Sequence, residues 1–376
     1  MTSKRLMAVP ITALLAWTCA AGAASVDELD QRLRVLEQQT DVYKEEIEDL
    51  TREKESKIRI SGYVDAEYSR DSRPNVKPGF RMHHLSFFFK KQISSNWRFF
   101  SEVEYEDAPK FEGNGESQPA PAEGEIATDA EGKIFVEAVY IDYLPHPAAN
   151  VRTGRFFTPA GIWSIDHYPP FVPTQRRPSH VRQIFPQVVD GMDFFGSIPV
   201  GKAFFGYDLY FGNGEGNTGK QDQNSTKAVG AKASLLLPFL DQLELGATAY
   251  DDRLNNDDEK FSWGTHARIR AGMFAFQAEY ADAKIEPVAA ATYHRRGYYG
   301  QLVVAPTDKW AVGYRYDYYD ERSIAVRDEK TNSVFVNYRA HRDIVLKVEH
   351  HDIQDEDPAV GDYRQTILSI VYYLAD

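Results

Sequence analysis

The chain has 376 residues, a formal net charge of -13, and 22 tyrosines beside 22 phenylalanines. The excess of acidic groups argues against a nucleic acid as partner. Beyond the N-terminal segment no stretch is apolar over the roughly 18 residues that a spanning helix needs. Together with a mean hydropathy of -0.49, this excludes a helical membrane protein.

The N-terminus has the three parts of a secretory signal peptide. Lys4 and Arg5 precede an apolar run that ends at Cys19, and residues 20–24 are all alanine or glycine. The run is shorter than the roughly 20 residues of a membrane-spanning helix, and small residues at its exit fit a cleavage site. We expect residues 1–24 to be removed, and with them the only cysteine. Neither disulfides nor thiolate chemistry is therefore expected.

Residues 25–56 predict a periplasmic helix with a coiled-coil pattern. Apolar residues recur at spacings of three and four between charged ones, as in a heptad repeat. The alternative is a single amphipathic helix that lies across the end of the following domain. β-branched residues at position a with leucine at d favour two strands, so the pattern leaves the oligomer number open. The predicted coiled-coil core is Leu29, Leu33, Leu36, Tyr43, Ile47 and Leu50.

From residue 58 onwards the chain repeats short segments in which apolar and polar residues alternate. A period of two is typical of a β-strand that is wet on one face and apolar on the other. The pattern predicts strands over 58–69, 80–92, 97–106, 133–143, 150–157, 190–198, 203–212, 226–237, 242–251, 260–271, 273–283, 293–304, 309–319, 330–340, 343–352 and 363–374.

The connectors between the predicted strands alternate between short and long. Turns such as 93–96 and 305–308 are short, whereas 107–132 and 158–189 are long. This asymmetry is typical of outer-membrane barrels, which have short periplasmic turns and long extracellular loops. The sequence therefore predicts an all-β fold over residues 57–376. The predicted fold is a 16-stranded antiparallel transmembrane β-barrel preceded by a short α-helical coiled coil, with both chain ends expected in the periplasm.

The segment 158–189 is rich in prolines and aromatic residues, unlike a mobile surface loop. Such residues stiffen a chain and let it pack, so we expect this loop to fold into the barrel and narrow it. Guanidinium groups at the constriction would hold carboxylates or phosphates in a fork. The alternative is that the arginines pair with acidic groups of the wall and anchor the loop. The predicted constriction residues in this loop are Arg176, Arg177, His180 and Arg182.

Strand alternation also predicts which side chains face the lumen. If Phe261 and Trp263 face lipid, the residues of the same strand with the opposite parity face inwards. Charges of both signs across the lumen would create a transverse field. The predicted lumen-facing residues are Arg98, Glu102, His266, Arg268, Arg270, Arg315, Asp317 and Arg339.

The sequence lacks the common hydrolase, zinc-protease, phosphate-loop and dinucleotide-binding motifs. His84 and Ser86 share a strand face, but nothing nearby in the sequence completes a catalytic set. His350 and His351 precede Asp352 like a metal cluster, yet neighbouring strand residues point to opposite faces. We therefore predict no enzyme activity, no cofactor and no metal site.

Three segments resemble the phosphate-selective porin O and P family. They are residues 154–163 (GRFFTPAGIW), the step Arg177-Pro178, and residues 190–196 (DGMDFFG). The resemblance covers the barrel from about residue 58 and implies a trimeric porin whose third loop folds inwards. It also adds Arg155 to the constriction arginines. The lysine cluster of phosphate-selective members has no counterpart in this sequence.

These patterns predict an outer-membrane porin for passive diffusion of small hydrophilic solutes, biased towards anions such as phosphate or small carboxylates. The predicted partners are outer-membrane lipid, lipopolysaccharide and two further copies in a homotrimer. The predicted location is the outer membrane of a Gram-negative bacterium, with the N-terminal stalk in the periplasm. The alternative is a structural protein that tethers the outer membrane to the cell wall through its coiled coil.

Overall fold

The computed structural model describes residues 57–107, 133–181, 183–215, 224, 226–239, 241–322 and 326–374. The predicted signal peptide and coiled coil lie outside the described residues. Nowhere in these ranges is there a helix long and apolar enough to cross a bilayer. The strands are β1 (Arg59–Asp71), β2 (Gly79–Gln92), β3 (Trp97–Glu106), β4 (Lys133–His146), β5 (Ala149–Phe157), β6 (Val188–Val200), β7 (Ala203–Gly212), β8 (Ala228–Leu237), β9 (Gln242–Arg253), β10 (Glu259–Ala271), β11 (Phe274–Glu286), β12 (Tyr293–Val304), β13 (Trp310–Arg322), β14 (Val326–His341), β15 (Ile344–Asp355) and β16 (Tyr363–Leu374).

The strands close into one antiparallel barrel. Each strand pairs with its neighbours in the chain, and β1 pairs with β16 from Gly62 opposite Leu374 to Asp71 opposite Gln365. Closure leaves no unpaired sheet edge, which is the condition for a sheet to lie in hydrocarbon. The predicted all-β barrel of sixteen strands is therefore confirmed.

The outer face of the barrel is apolar and the inner face is polar. Along β10, Phe261 and Trp263 are exposed on the outside, whereas Ser262 and His266 are buried on the inside. The same alternation runs along β15 and β16. The side-chain period of two thus separates the two faces of the wall.

Aromatic side chains gather where the short connectors lie. The ring centroids of Trp97 and Tyr143 are 4.7 Å apart, and those of Trp310 and Tyr338 are 4.5 Å apart. Trp97 and Trp310 begin β3 and β13, and both are exposed on the outer face. Such rings are typical of the headgroup level of a membrane.

Candidate functional site: the lumen and its inner loop

The connection between β5 and β6, residues 158–187, lies inside the barrel and is called the inner loop here. Its ends are joined, since the backbone N–H of Thr158 donates to the carbonyl of Gln187 at 3.0 Å. Phe156 of β5 and Ile184 of the loop are fully buried in one apolar cluster with side chains of β7, β9 and β11. Apolar packing therefore holds one flank of the inner loop against the wall.

Hydrogen bonds join the inner loop to strands on different sides of the lumen. Because β11 lies far from β1 and β3 around the closed sheet, bonds to all three require the loop to cross the lumen. These bonds run from Trp163 N to Glu279 of β11 at 3.1 Å, from the Tyr168 hydroxyl to Glu102 of β3 at 3.1 Å, and from Gln175 Nε2 to Asp65 of β1 at 2.8 Å.

Arg315 of β13 anchors the middle of the loop. Its guanidinium is fully buried and donates to Asp317 at 3.0 Å, to the Thr174 hydroxyl at 2.6 Å and to the carbonyl of Arg176 at 2.9 Å. Asp317 in turn accepts from the backbone N–H and the hydroxyl of Ser179, at 3.0 and 2.9 Å. A buried charge pair of this kind is stable only while its partners stay in place.

A second anchor is built on Glu349 of β15. Its carboxylate accepts from the backbone N–H groups of Gln175 and Arg176, at 2.6 and 3.3 Å. His351 joins the same carboxylate at 3.0 Å and reaches the hydroxyl of Ser333 at 2.8 Å. This set resembles a serine–histidine–acid triad, but all three side chains are fully buried and the loop occupies the carboxylate. The three side chains therefore hold the inner loop against the wall.

Two further wall residues hold the proline-rich part of the loop. Lys347 Nζ donates to the carbonyls of Pro169 and Val172 at 2.6 and 2.7 Å. Asn337 Nδ2 donates to the carbonyl of Pro173 at 2.9 Å. At these positions the wall donors replace the water that would otherwise satisfy the loop carbonyls.

The predicted constriction residues of the loop have different surroundings. Arg176 Nη2 donates to Glu329 of β14 at 2.9 Å, as the anchoring alternative requires. His180 is buried and stacks on Tyr299, with 5.8 Å between the ring centroids. Arg177 is half-buried and makes no ion pair among the described residues. Only Arg177 of these three is thus available to a solute as a free charge.

The structure does not bring Arg155 to this group, and Arg182 lies outside the described residues. Arg155 donates to Asp190 of β6 at 2.7 and 2.9 Å. The alternation that turns Phe156 and Val189 into the buried lumen cluster turns Arg155 and Asp190 to the outer face. The expectation that Arg155 lines the constriction is corrected on this geometry.

The eight side chains predicted to face the lumen lie at inward positions of their strands, and most are engaged in pairs. Glu102 is fully buried, while Arg270 and Arg339 line the cavity described below. The pairs are Arg98 with Asp142 at 2.5 Å, His266 with Glu244 at 3.3 Å, Arg268 with Asp166 at 2.6 Å and Arg315 with Asp317 at 3.0 Å.

A cavity of about 720 Å³ lies between the inner loop and the end of the barrel with short connectors. The loop contributes the stretch 170–173, including Phe171, which is 68% exposed. The wall contributes Arg268, Arg270 and Arg339. The cavity is therefore lined by the apolar surface of the loop and by guanidinium groups of the wall.

The family model described as Gram-negative porin matches residues 201–357. The structure is similar to an anion-selective porin from Comamonas acidovorans, with 11% identity, a TM-score of 0.62, and 85% of this chain and 99% of that chain covered. The barrel has the porin fold. A search of curated protein sequences found no significant match.

Two more solved structures share this porin fold. OmpF of Salmonella typhi, in a complex with daunomycin, is 13% identical with a TM-score of 0.61, and the match covers 84% of this chain and 97% of that one. The trimer form of OmpT, an outer-membrane protein of Vibrio cholerae, is 12% identical with a TM-score of 0.56, and 84% and 99% are covered. At these identities the similarity concerns the fold.

Acid is expected to weaken the attachment of the inner loop at His180. Burial lowers the pKa of His180; the carboxylates of Glu279 and Asp317 raise it, Arg315 lowers it, and the net shift is downward. The unfolded histidine, with a pKa of about 6.5, then binds a proton more readily than the folded one. Its contribution to stability is full above about pH 6.5 and is lost as the pH falls towards the folded pKa.

Urea unfolding of the detergent-folded barrel between pH 7.5 and 5 measures this effect. His180→Phe keeps the ring on Tyr299 but removes the titration, so its stability should fall less with acid than that of the wild type. Equal acid sensitivity in the two proteins would contradict the assignment to His180.

Strand parity placed Lys347 and Glu349 on one inner face, but the sequence interpretation did not identify them or His351 as wall residues that hold the loop. Lys347 and Glu349 share a strand face, and their inward parity was the only signal available. It also missed the central position of Trp163, which is 1% exposed and lies inside the lumen with its ring 5.7 Å from the Arg315 guanidinium. Partners this distant in sequence leave no local pattern.

Proposed function

We propose that this protein is an outer-membrane diffusion channel for small hydrophilic solutes. The observation that carries the proposal is the inner loop folded within a closed barrel of apolar exterior and polar interior. In this arrangement the barrel wall passes the membrane, and the loop sets the width and charge of the passage. The match to the Gram-negative porin model supports the same function.

The membrane orientation follows from the lengths of the connectors. The short turns face the periplasm and the long loops face the exterior, as in outer-membrane barrels. With this orientation, residues 25–56 are proposed to form a periplasmic stalk. The protein acts as a homotrimer, as the trimer form of the similar Vibrio cholerae protein suggests. Residues 1–24 direct secretion and are removed.

The channel favours anions, with phosphate and small carboxylates as the solute class. Arg177 and Arg270 make no ion pair among the described residues, and Arg339 bonds only to the carbonyl of Arg342. These guanidinium groups add net positive charge along the loop and in the cavity below it. Fixed charge of this sign attracts anions and repels cations. The anion-selective porin with the same fold agrees with this bias.

The reversal potential of the reconstituted protein in a KCl gradient tests the bias. We expect chloride to be preferred, and the double variant Arg270→Gln, Arg339→Gln to shift the potential towards cation preference. Arg364→Gln, at an exposed outward position of β16, is the matched control and should leave the potential unchanged. A wild-type preference for potassium would refute the anion bias without affecting the channel function.

One observation favours the second candidate, a structural tether with a closed barrel. At the level of the inner loop, the buried side chains of Trp163, Arg315 and Lys347 fill space inside the lumen. Steady ohmic current steps in planar bilayers support the channel. Electrical silence of a correctly folded barrel supports the tether through the coiled coil.

A further inference from the structure

Two β-bulges turn extra residues into the lumen at one place. Between β1 and β2 the register passes from Asp65 opposite His84 to Ala66 opposite Met82, so His83 is the additional residue. Between β3 and β4 an equal shift leaves Glu137 as the additional residue. Bulges re-aim side chains and are frequent beside functional sites. Here both raise the density of ligating groups on adjacent strands.

The second bulge completes a cluster of three buried carboxylates. Glu102, Glu104 and Glu137 are 0%, 1% and 3% exposed. One oxygen from each lies within 4.8 Å of the others. Two oxygens bound to one Ca²⁺ ion at about 2.3–2.6 Å lie at most about 5 Å apart. The spacing therefore suits one ion that all three residues share.

Glu137 accepts from Gln187 Nε2 at 2.7 Å and lies 3.6 Å from His167 Nε2, whereas the hydrogen-bond donors to Glu102 and Glu104 among the described residues are neutral hydroxyls. Glu102 accepts from the hydroxyls of Ser86 and Tyr168 at 2.8 and 3.1 Å, and Glu104 accepts from Tyr63 at 2.5 Å. Neither carboxylate pairs with lysine or arginine among the described residues. The second oxygen of Glu104, Oε1, is buried and has no hydrogen-bond partner anywhere in the described residues. A buried acceptor of this kind costs free energy unless a ligand satisfies it.

We propose that Glu102, Glu104 and Glu137 form a binding site for one hard divalent cation, with calcium as the preferred ion. Oxygen-only ligands select hard cations, and Ca²⁺ accepts variable arrangements of carboxylates, whereas Mg²⁺ demands near-ideal octahedral geometry and gives up its waters reluctantly. Because Tyr168 of the inner loop bonds to Glu102, an occupied site lies where the loop meets β3. Cation binding at these three carboxylates does not require that the barrel conducts solutes.

Isothermal titration of the folded full-length protein, stripped with EDTA, tests the site with Ca²⁺ alone and Mg²⁺ alone. We expect one Ca²⁺ per chain, weaker Mg²⁺ binding, and a higher unfolding temperature with Ca²⁺. Affinity depends on ligand charge, so Glu104→Gln and Glu102→Gln should each lose about tenfold or more in Ca²⁺ affinity. Glu244→Gln, another lumen carboxylate on β9, is the matched control.

Absence of saturable Ca²⁺ binding to the wild type would overturn the proposal, and that measurement needs no variant to fold. Equal loss of affinity in the control variant would also overturn it, because binding would then reflect general lumen charge. Mg²⁺ binding as tight as Ca²⁺ binding would overturn the choice of calcium. Glu104→Asp keeps the charge but shortens the side chain, and we expect it to fold and to bind Ca²⁺ less tightly than the wild type.

Discussion

Replacement of Arg315 by methionine is expected to release the inner loop and to destabilise the barrel by about 3–5 kcal/mol. The change removes the bonds to Thr174 and to the carbonyl of Arg176, and leaves Asp317 buried beside Ser179 without its cation. Urea unfolding in lipid vesicles measures the stability. Single-channel recording should show larger and noisier current steps than those of the wild type.

Arg339→Met is the matched control, because Arg339 lies on the inner face of β14 but is exposed. We expect its stability to stay within about 0.5 kcal/mol of the wild type. Adding Asp317→Asn to Arg315→Met should recover part of the loss, since the buried charge disappears with its partner. A loss of under about 1 kcal/mol in Arg315→Met would show that this pair does not hold the loop.

Trp163→Ala is expected to open the lumen. The side chain is 1% exposed, and its backbone N–H is held by Glu279. Truncation of a buried tryptophan costs about 3–5 kcal/mol when the cavity does not collapse. A cavity within a polar lumen fills with water, so the single-channel conductance should rise as stability falls.

Trp310→Ala separates this effect from the general loss of a tryptophan. Trp310 is 47% exposed on the outer face of the wall, at the start of β13, so its loss should leave the conductance unchanged. An unchanged conductance in Trp163→Ala, with a measured fall in stability, would mean that the passage runs elsewhere in the lumen.

The strand pattern was predictable because each strand has one apolar and one polar face. The observed bounds of β3, β7 and β16 match the expected segments 97–106, 203–212 and 363–374 closely. The inward fold of the loop was expected from its prolines and aromatic residues, and Trp163 of this loop bonds to Glu279 of β11. These features are local, so a single sequence carries them.

The partners of the loop were not predictable. Gln175 and Asp65 are 110 positions apart, and no periodicity relates them. The same holds for the carboxylate cluster that Glu137 completes, since a bulge inserts one residue and shifts the alternation that places side chains. Arg155 was misplaced because a family motif identifies a segment without giving the face of each residue.

Gln175 spans the junction where the first and last strands of the chain meet. Its backbone N–H bonds to β15 and its side-chain amide bonds to β1, on either side of β16. These acceptors come together only when the C-terminal strands have arrived beside the first one. Docking of the loop and sealing of the cylinder are therefore mutually dependent steps of folding, and the last strands synthesised determine when the interior acquires its final form.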